Sequence, residues 1–190
     1  MSPSDLVWSD TGRPSWHDTW LALAWQMGKR SRCSRRKVGA VVVTYDLRVN
    51  STGYNGPPPG FEVSGPCGFW CPRAESVGPV VPDYTDCPSN HAEANAIARA
   101  NFTEIQNGII YVSSAMCFTC AKLVASSGIA VAVHAVDPAR DGHRLFEQVE
   151  DFLRHCDVMP IRARYDSPDA PPRVILPLPE GTNEGEDDDD

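Results

Sequence analysis

Four residues of this chain have the types and the spacing of a hydrolytic zinc site. His91 and Glu93 open a segment that predicts a helix, HAEANAIARAN, and Cys117 and Cys120 open another, CFTCAKLVASSG. Two cysteines at this spacing at a helix start can bind one ion, and the positive end of the helix dipole stabilises their thiolates. With one imidazole they make three ligands, which leaves the fourth position of a tetrahedral zinc open for water. The sequence therefore predicts a catalytic zinc on His91, Cys117 and Cys120.

Glu93 lies close to the predicted metal without being needed as a ligand, because one residue separates it from His91. A carboxylate in that place can take a proton from a zinc-activated water and pass it to a substrate nitrogen. The sequence follows the zinc-deaminase pattern H-x-E and P-C-x-x-C, except that Met116 replaces the proline. The replacement removes a rigid residue but no ligand, so we expect the chemistry to be retained.

Helices and strands alternate around these residues. The first predicted helix has apolar residues at helical spacing, and Ser15 is placed to cap its start. The predicted helices cover residues 15–30, 91–101, 117–128 and 141–156. The predicted strands cover residues 38–46, 47–55, 108–114, 129–136 and 158–165. The alternation predicts a layered α/β fold.

The length of 190 residues and a hydrophobic fraction of 42% indicate one globular domain. We divide the chain into an N-terminal extension (1–14), a zinc-dependent deaminase domain (15–166) and a proline-rich, acidic tail (167–190). No stretch approaches the roughly 20 apolar residues of a membrane-spanning helix, and the N-terminus does not resemble a secretion signal. A cytoplasmic location without a membrane partner is expected.

The net charge of −8 is unevenly distributed. Residues 180–190 hold seven acidic residues and no basic one, so the rest of the chain is nearly neutral. In contrast, KRSRCSRRK at residues 29–37 places six positive charges in nine positions. This basic run predicts either a local anion site or a solvated charged surface.

A long irregular loop, residues 56–89, precedes His91 and contains eight prolines. A loop of this length is uncommon unless it is functional or held in place. Outside the catalytic pair, four of the five other cysteines fall in or before this loop, and a four-thiolate zinc site would order it. We predict a second, structural zinc on Cys33, Cys67, Cys71 and Cys87. The alternative is that these are unpaired thiols in a reducing compartment. The fifth, Cys156, is predicted to be a buried helix thiol.

From His17 to about Gln148 the chain resembles the deoxycytidylate (dCMP) deaminases of bacteria, eukaryotes and large DNA phages. The segments that carry the resemblance are SRRKVGAVVV, STGYNGPPPG, NHAEANAIARA and CFTCAKLVASSGI. The resemblance implies a three-layer fold with a five-stranded mixed sheet between helices, and hydrolytic loss of ammonia from C4 of dCMP. It also implies a homo-oligomer, hexamer or dimer, with dCTP and dTTP as effectors. Some phage and bacterial members carry a second zinc near the loop described above.

The resemblance also implies substrate contacts. Asn55 would contact the sugar or base; the alternative is that it serves as a turn residue before Gly56. The backbone at Ala92 and Ser114 would read the pyrimidine edge, and Arg36 or Lys37 would help to bind the phosphate. Many members place a tyrosine shortly after the strand that matches IAVAVH, whereas this chain continues AVDPARDGH without an aromatic residue. A 5-substituted cytosine is therefore a further substrate that the sequence suggests.

Two other functions are compatible with the zinc residues. A deaminase that edits polynucleotides needs a basic track with aromatic side chains for the flanking nucleotides. The compact basic run and the acidic C-terminus favour a single phosphate instead. A zinc-stabilised regulatory module without catalysis would need neither Glu93 nor an open zinc position. A small nucleotide is thus the predicted partner.

Overall fold

The computed structural model describes residues 13–61, 87–137, 141 and 145–174. Its helices are α1 (Trp16–Gly28), α2 (Ala92–Ile97), α3 (Phe118–Ser126) and α4 (Phe146–His155). Its strands are β1 (Gly39–Val43), β2 (Val49–Tyr54), β3 (Ile109–Val112), β4 (Val131–Ala135), β5 (Met159–Arg164) and β6 (Arg173–Val174). Within these ranges, no helix has the length and apolar character needed to cross a bilayer.

The strands form one mixed sheet in the order β2-β1-β3-β4-β5-β6. β1 pairs antiparallel with β2 and β3, whereas β3, β4 and β5 are parallel to one another. The sheet has six strands, so the predicted number of five is wrong by one edge strand. Val174 pairs with Ala163 of β5, and its N–H also donates to Asp18 of α1. A strand of two residues inside a proline-rich segment carries no alternating pattern by which the sequence could reveal it.

The sheet separates two apolar cores, as a three-layer fold requires. The side chains of β1 alternate between them because successive residues of a strand point to opposite faces. Val41 and Val43 pack with α1, and Ala40 and Val42 pack on the side of α2 and α3. We call these two sides the α1 face and the site face.

Close packing holds the start of α2 against β2. A Cβ atom at Gly53 of β2 would lie only 2.2 Å from the carbonyl oxygen of Ala92, so a side chain here would push the helix away. Asn95 adds two hydrogen bonds, from its Nδ2 to the carbonyls of Tyr54 and Gly56. These contacts fix where the residues at the beginning of α2 lie.

Candidate active site

Two helix starts meet on the site face. His91 is the N-cap residue of α2 and Cys117 that of α3, and both have extended backbone angles before the helix begins. Cys120 lies in the first turn of α3 and is buried. The Nδ1 atom of His91 is 3.4 Å from the Sγ of Cys117 and 3.4 Å from the Sγ of Cys120. The structure therefore brings together the three ligands that the sequence predicts.

The separations suit zinc. Zn–S and Zn–N bonds of about 2.3 Å and 2.0–2.1 Å at a tetrahedral angle place N and S about 3.6 Å apart. The observed distances are close to this value, and the three ligand atoms lie within 4.8 Å of one another. Three donors of this type fit a catalytic zinc rather than a closed structural one.

The two sulfur atoms are electrostatically coupled. A hydrogen bond from the Cys120 thiol lowers the pKa of Cys117 despite the opposing effect of burial, and His91 lowers it further. The pKa of Cys120 is raised, first by its hydrogen bond to Cys117, then by burial and the nearby carboxylate of Glu93. A bound metal would favour the thiolate form of both cysteines and release their protons.

Glu93 lies in the first turn of α2 and is buried, with 3% of its surface exposed. Its carboxylate contributes to the raised pKa of Cys120, so it lies close to the ligand cluster. A carboxylate beside the metal ligands, rather than among them, has the position that proton transfer requires. Its catalytic role stays a prediction.

Asn55 uses both ends of its side-chain amide on the segment before β1. Its Oδ1 accepts a hydrogen bond from the Val38 N–H, and its Nδ2 donates to the Arg36 carbonyl, both at 2.8 Å. Its own carbonyl accepts from the Ser31 hydroxyl. Asn55 thereby fixes the chain that carries the basic run, and its contact with substrate stays a prediction.

The two basic residues predicted to bind phosphate differ in their surroundings. Arg36 forms an ion pair with Asp141 at 2.5 Å, and that carboxylate is almost completely buried. The other oxygen of Asp141 accepts from the Asp137 N–H, so the pair ties the chain after β4 to the chain before β1. Lys37 is exposed. The geometry gives Arg36 a structural contact and leaves Lys37 at the surface.

The backbone positions predicted to read the base are both buried. Ala92 is the first residue of α2, and Ser114 follows β3 just before the cysteine pair. The Ser114 hydroxyl has no hydrogen-bond partner within the described part of the chain. A buried hydroxyl of this kind is unfavourable unless water or a ligand satisfies it. This orphaned donor is an additional reason to place the substrate next to Ser114.

The predicted second zinc site lies partly outside the described residues. Cys67 and Cys71 belong to the part of the loop that is not described, whereas Cys33 and Cys87 are partly buried. The structural zinc therefore stays a prediction. Cys156 is exposed, so the expectation of a buried thiol is wrong. It forms the C-cap of α4, where the helix has already ended.

Several residues near the site were missed by the sequence analysis. His134 of β4 lies fully buried in a segment whose pattern indicates only an apolar strand. It contacts Glu150 of α4, which Arg162 of β5 also contacts, and no spacing rule connects three residues on different elements. Tyr165 donates its hydroxyl hydrogen bond to the Ser113 carbonyl and lines a cleft of about 450 Å³ at the ends of β4 and β5. Tyr165 directly follows β5, and its ring packs against the core of the α1 face rather than against the core of the site face.

Comparisons with known proteins agree with this geometry. A family model for the cytidine and deoxycytidylate deaminase zinc-binding region matches residues 14–136. The chain is 43% identical over 122 residues to a deoxycytidylate deaminase of Mycobacterium phage D29, a match covering 62% of this chain and 91% of that protein. It is 33% identical over 144 residues to a deoxycytidylate deaminase of Schizosaccharomyces pombe, covering 75% of this chain but 44% of that protein.

The fold is similar to that of the dCMP deaminase of cyanophage S-TIM5, solved in apo form. The TM-score is 0.58 at 21% identity, and the match covers 80% of this chain and 99% of that one. The predicted cytidine deaminase-like α/β fold is confirmed, with the sixth strand as the one difference.

Proposed function

Because this chain belongs to the cytidine and deoxycytidylate deaminase family, we propose that it converts dCMP to dUMP by hydrolytic loss of ammonia from C4. The observation that carries the proposal is the cluster of His91, Cys117 and Cys120 with buried Glu93 beside it. The phage D29 relative, named a deoxycytidylate deaminase, supports the choice of nucleotide.

The roles of the site residues follow from their positions. His91, Cys117 and Cys120 would hold zinc, which when bound supplies a water nucleophile with a lowered pKa. Glu93 would carry two protons in turn, the first from the attacking water to the pyrimidine ring nitrogen and the second from the new C4 hydroxyl to the amine, which leaves as ammonia. The influence of its carboxylate on Cys120 supports this position beside the ligand cluster. Burial of Glu93 keeps competing water away and strengthens its interaction with the reacting atoms.

Substrate contacts are proposed around the same helix starts. The Ser114 hydroxyl and backbone and the first N–H groups of α2 at Ala92 would read the pyrimidine edge. Lys37 is the better candidate for the phosphate because Arg36 is already paired with Asp141. Lys37→Ala should then lower kcat/KM for dCMP but not for deoxycytidine, with exposed Lys122→Ala as the matched control.

The second zinc on Cys33, Cys67, Cys71 and Cys87 would hold the long loop before His91. If it exists, metal-replete protein contains two zinc ions per chain, and Cys71→Ser loses one of them while the loop becomes more sensitive to protease. One zinc per chain in fully loaded wild type would contradict this site.

Self-association is also proposed. Phe118 and Leu123 of α3 expose large apolar surfaces beside the cysteine pair, and a partner chain would cover them. Light scattering should give a mass above the 20.8 kDa of a single chain. We also propose dCTP and dTTP as effectors, and the larger mass is expected with or without them. We place the activity in the cytoplasm, of the host cell if the source is a phage.

A chromatographic assay tests the function directly. Purified protein is incubated with dCMP, 5-methyl-dCMP, deoxycytidine and a cytosine-containing oligonucleotide. The expected result is dUMP from dCMP, with deoxycytidine a much poorer substrate. Turnover of the oligonucleotide would favour an editing deaminase, and preference for 5-methyl-dCMP would favour a 5-substituted substrate.

Glu93→Gln separates an enzyme from a zinc-stabilised module. It should lower kcat by about 100-fold to 10,000-fold while zinc content is retained, because it removes proton transfer but no ligand. Glu104→Gln, at an exposed position away from the site, is the control and should retain full activity. Wild type that binds zinc but deaminates none of these substrates would contradict the proposed function.

A further inference from the structure

The residue before Cys117 brings a hydrogen-bond donor that the zinc-deaminase pattern does not have. The pattern places proline there, and proline has no N–H group. Met116 is fully buried, and an N–H in such a place is costly unless it finds an acceptor. The Met116 N–H donates to Nδ1 of His134, at 3.3 Å. The departure from the pattern is thus matched by a buried acceptor on β4.

The partners of His134 define its tautomer. Its Nδ1 accepts from a backbone N–H, which can only donate, so the proton of the neutral ring lies on Nε2. Nε2 is 3.1 Å from Oε1 of Glu150, to which it donates. Both ring nitrogens are therefore occupied, and the ring has one orientation in which this can happen.

Glu150 is itself held firmly. Arg162 approaches it with Nε at 2.6 Å from Oε1 and Nη2 at 2.9 Å from Oε2, which is a bidentate pair. Arg162 and His134 are direct neighbours on adjacent parallel strands. Burial alone would raise the pKa of Glu150, but the hydrogen bonds from His134 and Arg162 lower it to about 2. The carboxylate stays ionised and can keep accepting from the imidazole.

This chain of contacts ends one residue from a proposed zinc ligand. Cys117 is the N-cap of α3, and its side chain makes no capping hydrogen bond that would fix its direction. The other end of the segment is held because Ser113 donates from its N–H to Gly39 and accepts from the Gly39 N–H through its hydroxyl. The Met116 hydrogen bond fixes the end that leads into Cys117.

We propose that His134, oriented by Glu150 and Arg162, is a positioning residue for Cys117 that takes over the role of the missing proline ring. It restrains the backbone before the ligand and so directs the sulfur atom toward the metal position. The inference rests on the zinc site of the proposed function, but it concerns metal binding and not turnover.

The test measures zinc affinity by transfer of the ion from loaded protein to a chromogenic chelator. His134→Leu removes the acceptor and should raise the zinc Kd roughly 10-fold, the lower end for residues that support a ligand. Adding Met116→Pro removes the orphaned donor and should restore most of the affinity. In cobalt-substituted protein, the visible spectrum should change in His134→Leu and return toward wild type in the double variant.

His17→Leu is the matched control, because His17 is buried on the α1 face and contacts Tyr111. It should lower stability but leave the zinc Kd and cobalt spectrum unchanged. Equal zinc Kd values for His134→Leu and His17→Leu would overturn the proposal. So would a double variant with native circular dichroism that does not regain affinity.

A conservative variant covers the case in which His134→Leu does not fold. Glu150→Gln keeps the shape of the side chain but weakens its hold on His134, and should raise the zinc Kd by a smaller factor. An unchanged Kd in this variant would also overturn the proposal. Because zinc binding is read without substrate, a wild type that binds zinc but does not deaminate dCMP would contradict only the proposed function.

Discussion

The two faces of the sheet each bury a histidine, and the two are held in different ways. On the α1 face, Nδ1 of His17 shares a hydrogen bond of 3.0 Å with the hydroxyl of Tyr111. On the site face, His134 is bonded at both nitrogens, to a backbone N–H and to an ionised carboxylate. A single hydrogen bond satisfies one ring nitrogen of a histidine in an apolar core, whereas hydrogen bonds at both nitrogens also fix the orientation of the ring. The more constrained ring lies on the face that carries the proposed zinc ligands.

The two faces also differ in the charge of the groups around each histidine. Burial lowers the pKa of His17 against the opposing charge of Asp18, and burial raises the pKa of Tyr111. That pair is therefore neutral. Around His134, in contrast, Glu150 and Arg162 carry full charges at hydrogen-bonding distance. Variants and pH should accordingly affect the two faces differently.

The largest expected effect is loss of the metal from the site face. Cys117→Ser should remove zinc and lower kcat/KM for dCMP at least about 100-fold, because a ligand counts for more than a residue that supports one. Cys156→Ser changes an exposed cysteine at the end of α4 and should leave both quantities unchanged. Elemental analysis compares the zinc content of the two variants. Full zinc occupancy in Cys117→Ser would remove Cys117 from the ligand set.

A second prediction concerns Glu150 and acid. Its folded pKa of about 2 lies below the ordinary value of 4.5, so its contribution is complete above pH 4.5 and is lost as pH falls from there toward 2. The ionised carboxylate therefore stabilises the fold at neutral pH. Urea unfolding should find Glu150→Gln less stable than wild type at pH 7 by about 2 kcal/mol, because the variant loses hydrogen bonds to a charged group. A gap between the two proteins that does not narrow between pH 4.5 and pH 3 would contradict this assignment.

The sequence predicted the main elements and the clustering of His91, Cys117 and Cys120 because both depend on local patterns. The five main strands and the capping Ser15, which accepts from the Asp18 N–H, have recognisable signals. The ligands sit at helix starts, so their spacing is visible in the chain. The sixth strand and the contacts of His134 depend on pairings between distant segments. Those pairings appear only when the sheet is assembled.

The α1 face should show a smaller response at milder pH. His17 has a folded pKa below its ordinary value of 6.5, so its neutral form stabilises the fold above pH 6.5 and the contribution is lost as pH falls below it. One proton limits the slope to about 1.4 kcal/mol per pH unit. His17→Gln should flatten the dependence of unfolding free energy on pH between 6.5 and 5. Its zinc content should stay that of wild type, and an unchanged slope would show that His17 is not the group responsible.

The smallest expected effect is a loss of stability when one of the two arginines that approach Glu150 is replaced. Arg162 forms the bidentate contact, whereas Arg154 is 54% exposed, lies 3.4 Å from the carboxylate and also pairs with exposed Asp151. Exposed pairs of this kind contribute little because water screens them, so Arg154→Ala should cost less than about 0.5 kcal/mol. Arg162→Ala leaves Glu150 buried with weaker compensation and should cost about 2 kcal/mol. Unfolding free energies measured at low and high salt compare the two variants. Only the loss caused by Arg154→Ala should vanish as salt increases. Equal losses for the two variants would mean that Glu150 is held by charge in general rather than by the geometry that orients His134.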